Sequence, residues 1–106
     1  MRTMMKFSIP AEAGNHAASS GLFGPPFKKI LDEMKPEAAY FLAQDNGERG
    51  GFVVFDLKDP SQIPAIAEPF FLLFNATLTF APVMNAQDLA NAGPGIDKAV
   101  KAYGKK

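Results

Sequence analysis

The sequence predicts an α+β fold in which strands and helices follow the order β-α-β-β-α-β, with a helical tail. Three patterns carry this prediction: alternation of apolar and polar residues before Pro10, an apolar stripe at helical spacing from Phe27, and the stretch Gly51–Phe55, which is apolar throughout. A strand without a polar face is covered on both sides. Because 106 residues are too few to supply two covering layers of helices, we expect a second copy of the protein to cover one face.

The first strand is predicted over about residues 4–9, because Met5, Phe7 and Ile9 alternate with polar residues. Residues 11–26 follow and contain three glycines and two prolines. This composition predicts a loop, with at most a short helical turn at residues 15–20.

Two amphipathic helices are predicted. The first starts at Pro26 and ends before Pro36, with apolar residues at positions 27, 30, 31 and 34. The second follows Asp59-Pro60-Ser61, with Asp59 or Ser61 as its N-cap. Pro69 lies too deep for the first turn and is expected to kink or split this helix. The inner stripe of the second helix consists of Ile63, Ile66, Ala67, Phe70 and Phe74.

The centre of the chain predicts a β-hairpin. Its strands cover residues 38–43 and 51–57, and Asp45-Asn46-Gly47 is a strong signal for the tight turn between them. A fourth strand is predicted over residues 76–83, with Pro82 at an edge or bulge because it cannot donate a ladder hydrogen bond.

The C-terminal tail predicts two short helices. Asn85 caps the first, over about residues 86–92, and the second begins near Ile96 after Gly93-Pro94-Gly95. We expect one domain over residues 1–106, with a core at about 4–84 and the tail at 85–106. The two β-α-β halves predict a ferredoxin-like antiparallel sheet with both main helices on one face.

The face of the sheet that the helices leave open is predicted to have an apolar middle and a polar flank. Strands one and four contribute Met4, Lys6, Ser8, Thr77 and Thr79. Strand two contributes Tyr40 with Leu42 or Ala39 with Phe41, and strand three contributes Val53 with Phe55 or Phe52 with Val54. Such a face is typical of a dimer interface or the wall of a ligand cavity. We take Val53 and Phe55 as candidate interface residues.

Several segments together resemble the dimeric α+β barrel superfamily. They are Met5 to Pro10, the hairpin through Asn46-Gly47, the strand Phe52 to Phe55 and the strand ending Phe80-Ala81-Pro82-Val83-Met84. The resemblance covers roughly residues 5–92 and rests on layout, and it is greatest to small uncharacterised members. It implies two sheets packed face to face in a homodimer, with tails or edges exchanged. Relatives include cofactor-free monooxygenases, haem-degrading enzymes and muconolactone-type isomerases, but no catalytic signature of these groups is visible.

The candidate ligand-cavity residues are polar groups on the open face and one histidine: Lys6, Ser8, His16, Tyr40, Thr77 and Thr79. A buried lysine or tyrosine there would bind an anionic or phenolic ligand. An interface network between two protomers is the alternative. His16 could be a general base or a haem or metal ligand, but a lone histidine in a loop is more often exposed and inert, and we favour that interpretation.

Composition excludes several classes. Without cysteine there is no disulfide, thiolate metal site or thiol nucleophile. The formal net charge of zero disfavours a general grip on nucleic acid or anionic membrane. No segment has the length of a membrane span or the pattern of a signal peptide. We therefore expect a cytoplasmic protein, with no cofactor and no metal.

Two functions stay open at this point. One is a small-molecule protein, which would be an enzyme if polar groups converge in a cavity between two sheets, and the other is a non-catalytic dimerisation or binding module. RNA binding is a more distant third. Residues 49–55 echo the RNP1 pattern of RNA-recognition domains, but Gly50 stands where a stacking aromatic is expected and strand one offers no RNP2 partner.

Overall fold

The computed structural model describes residues 1–105 and contains four strands and five α-helices in that range. The strands are β1 (Arg2–Ile9), β2 (Ala38–Ala43), β3 (Arg49–Asp56) and β4 (Thr77–Pro82). The helices are α1 (Ala11–Ser20), α2 (Pro25–Met34), α3 (Ile63–Phe74), α4 (Ala86–Asn91) and α5 (Gly93–Tyr103), with a 3-10 turn at Pro60–Gln62 before α3.

The four strands form one antiparallel sheet in the order β2-β3-β1-β4. This order confirms the predicted ferredoxin-like fold, in which one strand of the other half lies between the two strands of each β-α-β half. The central pair, β1 and β3, is in register from Arg2 opposite Asp56 to Ile9 opposite Arg49.

The core lies between the sheet and the helices. The alternation along β1 buries Met5, Phe7 and Ile9 on the helix-facing side, as predicted. Phe70 and Phe74 of α3 pack onto this layer and are fully buried. The Phe7 and Phe70 ring centroids lie 5.4 Å apart, within the range of favourable aromatic pairs.

The segment predicted as a loop contains a ten-residue helix, α1, so that prediction was wrong. The buried face of α1 is made of small residues, Gly14 and Ala17, which allow close approach to α3 and leave room for the Arg49 side chain of β3. The helix ends at Gly21, whose φ of 81° is left-handed. Close tertiary packing therefore stabilises a helix whose sequence has little apolar periodicity of its own.

Asp59, one of the two predicted N-cap residues, caps the 3-10 turn that leads into α3, whereas α3 itself begins at Ile63 without a side-chain cap. Asp59 accepts a hydrogen bond from the Ser61 backbone N–H at 2.8 Å, and Gln62 Oε1 accepts from the backbone N–H of Asp59. Pro69 does not split the helix, which runs without interruption from Ile63 to Phe74. The burial of Ala67, Phe70 and Phe74 offsets the hydrogen bond that Pro69 cannot donate.

The tail starts as predicted and then projects from the body. Asn85 and Asp88 form a reciprocal capping box on α4, and Arg2 Nη1 lies 3.1 Å from Asp88 Oδ2. The last helix, α5, begins earlier than expected, at Gly93, and has no buried residue. The radius of gyration is 17.8 Å, whereas a compact chain of this length has about 13 Å. The excess reflects a projecting α5.

Candidate ligand site on the open sheet face

The open face of the sheet brings together side chains from all four strands. Lys6, in the middle of β1, lies opposite Phe52 of β3 and opposite Thr79 of β4. Ser8 lies opposite Thr77 in the same way. Because residues paired across antiparallel strands point to the same face, Lys6, Ser8, Thr77 and Thr79 form one polar group.

A recess of about 290 Å³ lies at this polar group, at the end of the sheet where the β2–β3 turn emerges. It is lined by Lys6, Phe7, Ser8, Thr77, Thr79 and the turn residues Gln44, Asp45 and Asn46. Its volume is at the lower limit of small-molecule sites. The recess is open on one side, so a second surface is needed to enclose a ligand there.

The turn residues are held in place by hydrogen bonds to the sheet. Gln44 Nε2 donates to the Phe7 carbonyl at 2.9 Å, crossing β3 at Gly50. A methyl group at Gly50 would clash with the backbone carbonyl oxygen of Phe7 and would lie 2.6 Å from Gln44 Nε2, which explains why no side chain stands there. Glu48 Oε1 accepts from Ser8 Oγ at 2.7 Å and from Asn46 Nδ2 at 3.1 Å.

Lys6 supplies the positive charge of the recess. Its side chain is exposed and forms no ion pair within residues 1–105. An ammonium group beside two threonine hydroxyls offers donors to an anionic or carbonyl oxygen. Ser8, by contrast, already donates its hydroxyl hydrogen to Glu48.

An apolar strip flanks the polar group on the β2–β3 side. Tyr40 lies opposite Phe52, with ring centroids 5.7 Å apart, and the Tyr40 side chain is 61% exposed. Leu42 shares the Tyr40 face of β2, and Val54 shares the Phe52 face of β3. The face therefore carries an aromatic pair next to a cation.

The assignment of Val53 and Phe55, the two residues predicted for the interface, to the open face was wrong. Val53 and Phe55 are 0% and 2% exposed and belong to the core between sheet and helices. Phe52 and Val54, the other pair that the sequence allowed for this face, occupy the open face. The all-apolar stretch could not reveal this phase, because a strand without polar residues reads the same in either register.

His16 lies apart from the other candidates. It sits on the exposed face of α1, on the helix side of the sheet, whereas the recess is on the opposite side. No cluster of three His, Cys, Asp or Glu side chains suited to a metal occurs within residues 1–105.

Sequence reasoning missed Gln44, Asp45, Asn46 and Glu48 as parts of the site. The sequence predicts only a tight turn and its flank at these residues. The available signal was the run of three polar residues in the turn, Gln44, Asp45 and Asn46. Polar side chains in a turn at the end of a sheet can reach the neighbouring strand.

No helix within residues 1–105 combines the length and the apolarity that a bilayer span requires.

Comparison with known proteins shows the fold and nothing finer. No protein-family model matches the sequence, and no curated protein matches it either. Among solved structures, 5-chloro-2-hydroxyhydroquinone dehydrochlorinase from Burkholderia phenoliruptrix, in complex with 2,5-dihydroxybenzoquinone, is similar with a TM-score of 0.61 and 11% identity. The match covers 82% of this chain and 97% of that chain. At this identity it shows that both proteins share a fold.

Two further solved structures match this chain more weakly. The de novo designed protein Ferredog-Diesel has a TM-score of 0.45 at 12% identity, over 76% of this chain and 84% of its own. A formyltetrahydrofolate deformylase from Pseudomonas putida has a TM-score of 0.42 at 11% identity, over 77% of this chain and 28% of its own. At these scores neither match supports a functional argument.

Proposed function

We propose that this protein binds a small, partly apolar metabolite on the open sheet face and does so as a homodimer. The observation that carries the proposal is the convergence of Lys6, Thr77 and Thr79 on one recess beside the Tyr40–Phe52 pair. A ligand with a flat apolar body would lie on the aromatic pair, and its oxygen atoms would accept hydrogen bonds from Lys6 and the threonines.

The homodimer is part of the proposal because the site is incomplete in one chain. The recess is open, and the neighbouring strip of Tyr40, Leu42, Phe52 and Val54 leaves apolar surface in water. A second copy of the same face would cover both the strip and the recess.

The test uses a probe that suits this chemistry. 2,5-Dihydroxybenzoquinone, the molecule bound to the dehydrochlorinase of the same fold, combines a flat ring with oxygen acceptors. Isothermal titration calorimetry should detect its binding to the purified protein, and Lys6→Met should weaken it about tenfold or more, since a charged hydrogen bond is lost. Lys29→Met, an exposed lysine outside the recess, is the matched control. Equal affinity in the Lys6 and Lys29 variants would contradict the assignment of Lys6.

Catalysis is a separate hypothesis within this proposal. Mass spectrometry of the probe after incubation with the protein tests it: a product that forms with the wild type and not with Lys6→Met would support an enzyme. Recovery of unchanged probe supports a binding protein.

The alternative function is a dimerisation or binding module without a ligand. The apolar strip on the open face and the uncovered stripe of α5, made of Ile96, Val100 and Tyr103, favour it. A crystal structure of the dimer separates the two functions. Side chains that fill the space between the sheets would support the module, and a cavity holding residual density would support the metabolite site.

A further inference from the structure

A second cleft, of about 480 Å³, lies on the helix-facing side of the sheet at the free edge of β2. Only Phe7 lines both this cleft and the open-face recess, which lie on opposite faces of the sheet. The main walls of the helix-side cleft are aromatic. Its lining includes Phe7, Phe23, Phe27, Phe41, Ala18 and Arg49.

The cleft exists because the helices do not cover the edge strand. Phe41 points to the helix side of β2, where it lies opposite Gly51, yet its side chain is 55% exposed. The Phe41 ring centroid lies 5.8 Å from that of Phe27 and 6.3 Å from that of Phe7. These three rings form a concave aromatic wall that is open to solvent at one end.

Arg49 stands at the open end of this wall. The alternation of β3 places it on the helix-facing side with Val53, and its side chain crosses α1 at Gly14, where no Cβ blocks it. Nη2 donates to Asn15 Oδ1 at 3.1 Å, and Arg49 forms no ion pair within residues 1–105. The guanidinium is therefore held by one neutral partner, and most of its five N–H donors stay available.

We propose that this cleft binds a small apolar monocarboxylate, with its carboxylate on Arg49 and its apolar group against Phe7, Phe27 and Phe41. A guanidinium matches the two oxygens of a carboxylate in a bidentate arrangement. The aromatic wall accommodates a ring in edge-to-face contact, and the volume fits a ligand of this size. An uncharged apolar ligand would leave the positive charge of Arg49 unused.

The proposal is tested with phenylacetate and its uncharged analogue phenylacetamide. Titration of the ¹⁵N-labelled protein, followed by NMR, should give chemical-shift changes at the backbone amides of Ala18, Phe41 and Arg49. Phenylacetate should bind about tenfold or more tightly than phenylacetamide, because only the acid forms charged hydrogen bonds with Arg49. Equal affinity of acid and amide, or shifts confined to Lys6, Thr77 and Thr79, would overturn the proposal.

Three variants complete the test. Arg49→Met keeps the aliphatic stem and removes the charge, and it should abolish the preference for the acid. Lys29→Met removes one charge outside the cleft and should leave the preference unchanged. Ala18→Leu, at an exposed position of α1 that lines the cleft, should weaken both ligands by filling space while Arg49 remains. A well-dispersed spectrum of each variant shows that it is folded, and wild-type acid preference in Arg49→Met would refute the assignment.

Discussion

The side chain of Arg49 crosses α1 directly over Gly14, and a methyl group added at Gly14 would lie 2.5 Å from Arg49 Nη1. The same guanidinium donates to Asn15 Oδ1, the next residue of the helix. One glycine and its neighbour therefore determine where the charge of the helix-side cleft lies.

Gly14→Ala should separate stability from charge placement. Alanine gains up to about 1 kcal/mol of helix propensity over glycine, and the atom it meets is the end of a flexible side chain. We expect the free energy of unfolding to be unchanged or raised by up to about 1 kcal/mol, with Arg49 displaced from Asn15 and phenylacetate bound more weakly. Urea unfolding and NMR titration measure the two effects.

Asn15→Ala is the paired variant, because it removes the hydrogen-bond acceptor without adding an atom near Arg49. A loss of unfolding free energy well above 1 kcal/mol in Gly14→Ala would show that the helix, and not the arginine, has to move.

Val54→Asp and Val53→Asp should have opposite consequences. Val54 faces the open side of the sheet, so its replacement should give a folded monomer in place of the proposed dimer. Val53 is fully buried, and an unpaired carboxylate there should unfold the chain, since burying a charge costs several kcal/mol. Sedimentation velocity with circular dichroism distinguishes the two. A Val54→Asp protein that remains dimeric at low micromolar concentration would contradict the open-face interface.

Removal of α5 should leave the body of the protein intact. Since no residue of α5 is buried, a chain ending after Ala92 should unfold with a free energy within about 0.5 kcal/mol of the full chain. Urea unfolding at a protein concentration below that of dimer formation measures this. A loss of about 2 kcal/mol or more would mean that α5 packs on the sheet or the helices in solution.

Asp56 should contribute to stability above pH 4 and lose this contribution in acid. Hydrogen bonds from the Met1 ammonium group and then from Lys58 lower the pKa of Asp56 from 3.8 to about 2. Because the folded-state pKa is depressed, the contribution is fully present above the unfolded value and disappears as pH falls from about 4 to about 2.

Urea unfolding at pH 6 and pH 2.5 tests this dependence. The wild type should lose more stability on acidification than Asp56→Asn, by a small amount because the pair is exposed. Asp97→Asn, at an exposed carboxylate without an ion pair in residues 1–105, serves as the matched control. Identical acid sensitivity of the wild type and Asp56→Asn would remove Asp56 as a contributor.

Sequence patterns were sufficient where one face of an element is apolar and the other polar. Met5, Phe7 and Ile9 alternate with polar residues, so the buried side of β1 follows from the sequence. On β4, Thr77 and Thr79 mark the exposed side in the same way. Asp59 and Asn85 marked helix starts because their side chains bond to the first free N–H groups.

The helix α1 could not be predicted in this way. Its buried residues, Gly14 and Ala17, are small, so it carries almost no hydrophobic stripe. What stabilises it is the space that small residues leave for the sheet and for α3, and this space exists only once the chain is folded.

By itself, therefore, the sequence determined the ferredoxin-like element order and the polar flank of the open face formed by Lys6, Ser8, Thr77 and Thr79. Only the tertiary structure decided the phase of β2 and β3, since apolar strands such as Phe52–Phe55 read alike in both registers until their partners are known. Pairing with β1 placed Val53 in the core and Phe52 on the open face, and crossing at Gly14 placed Arg49 beside the aromatic cleft. Both outcomes depend on contacts between residues far apart in the chain, and local patterns do not encode such contacts.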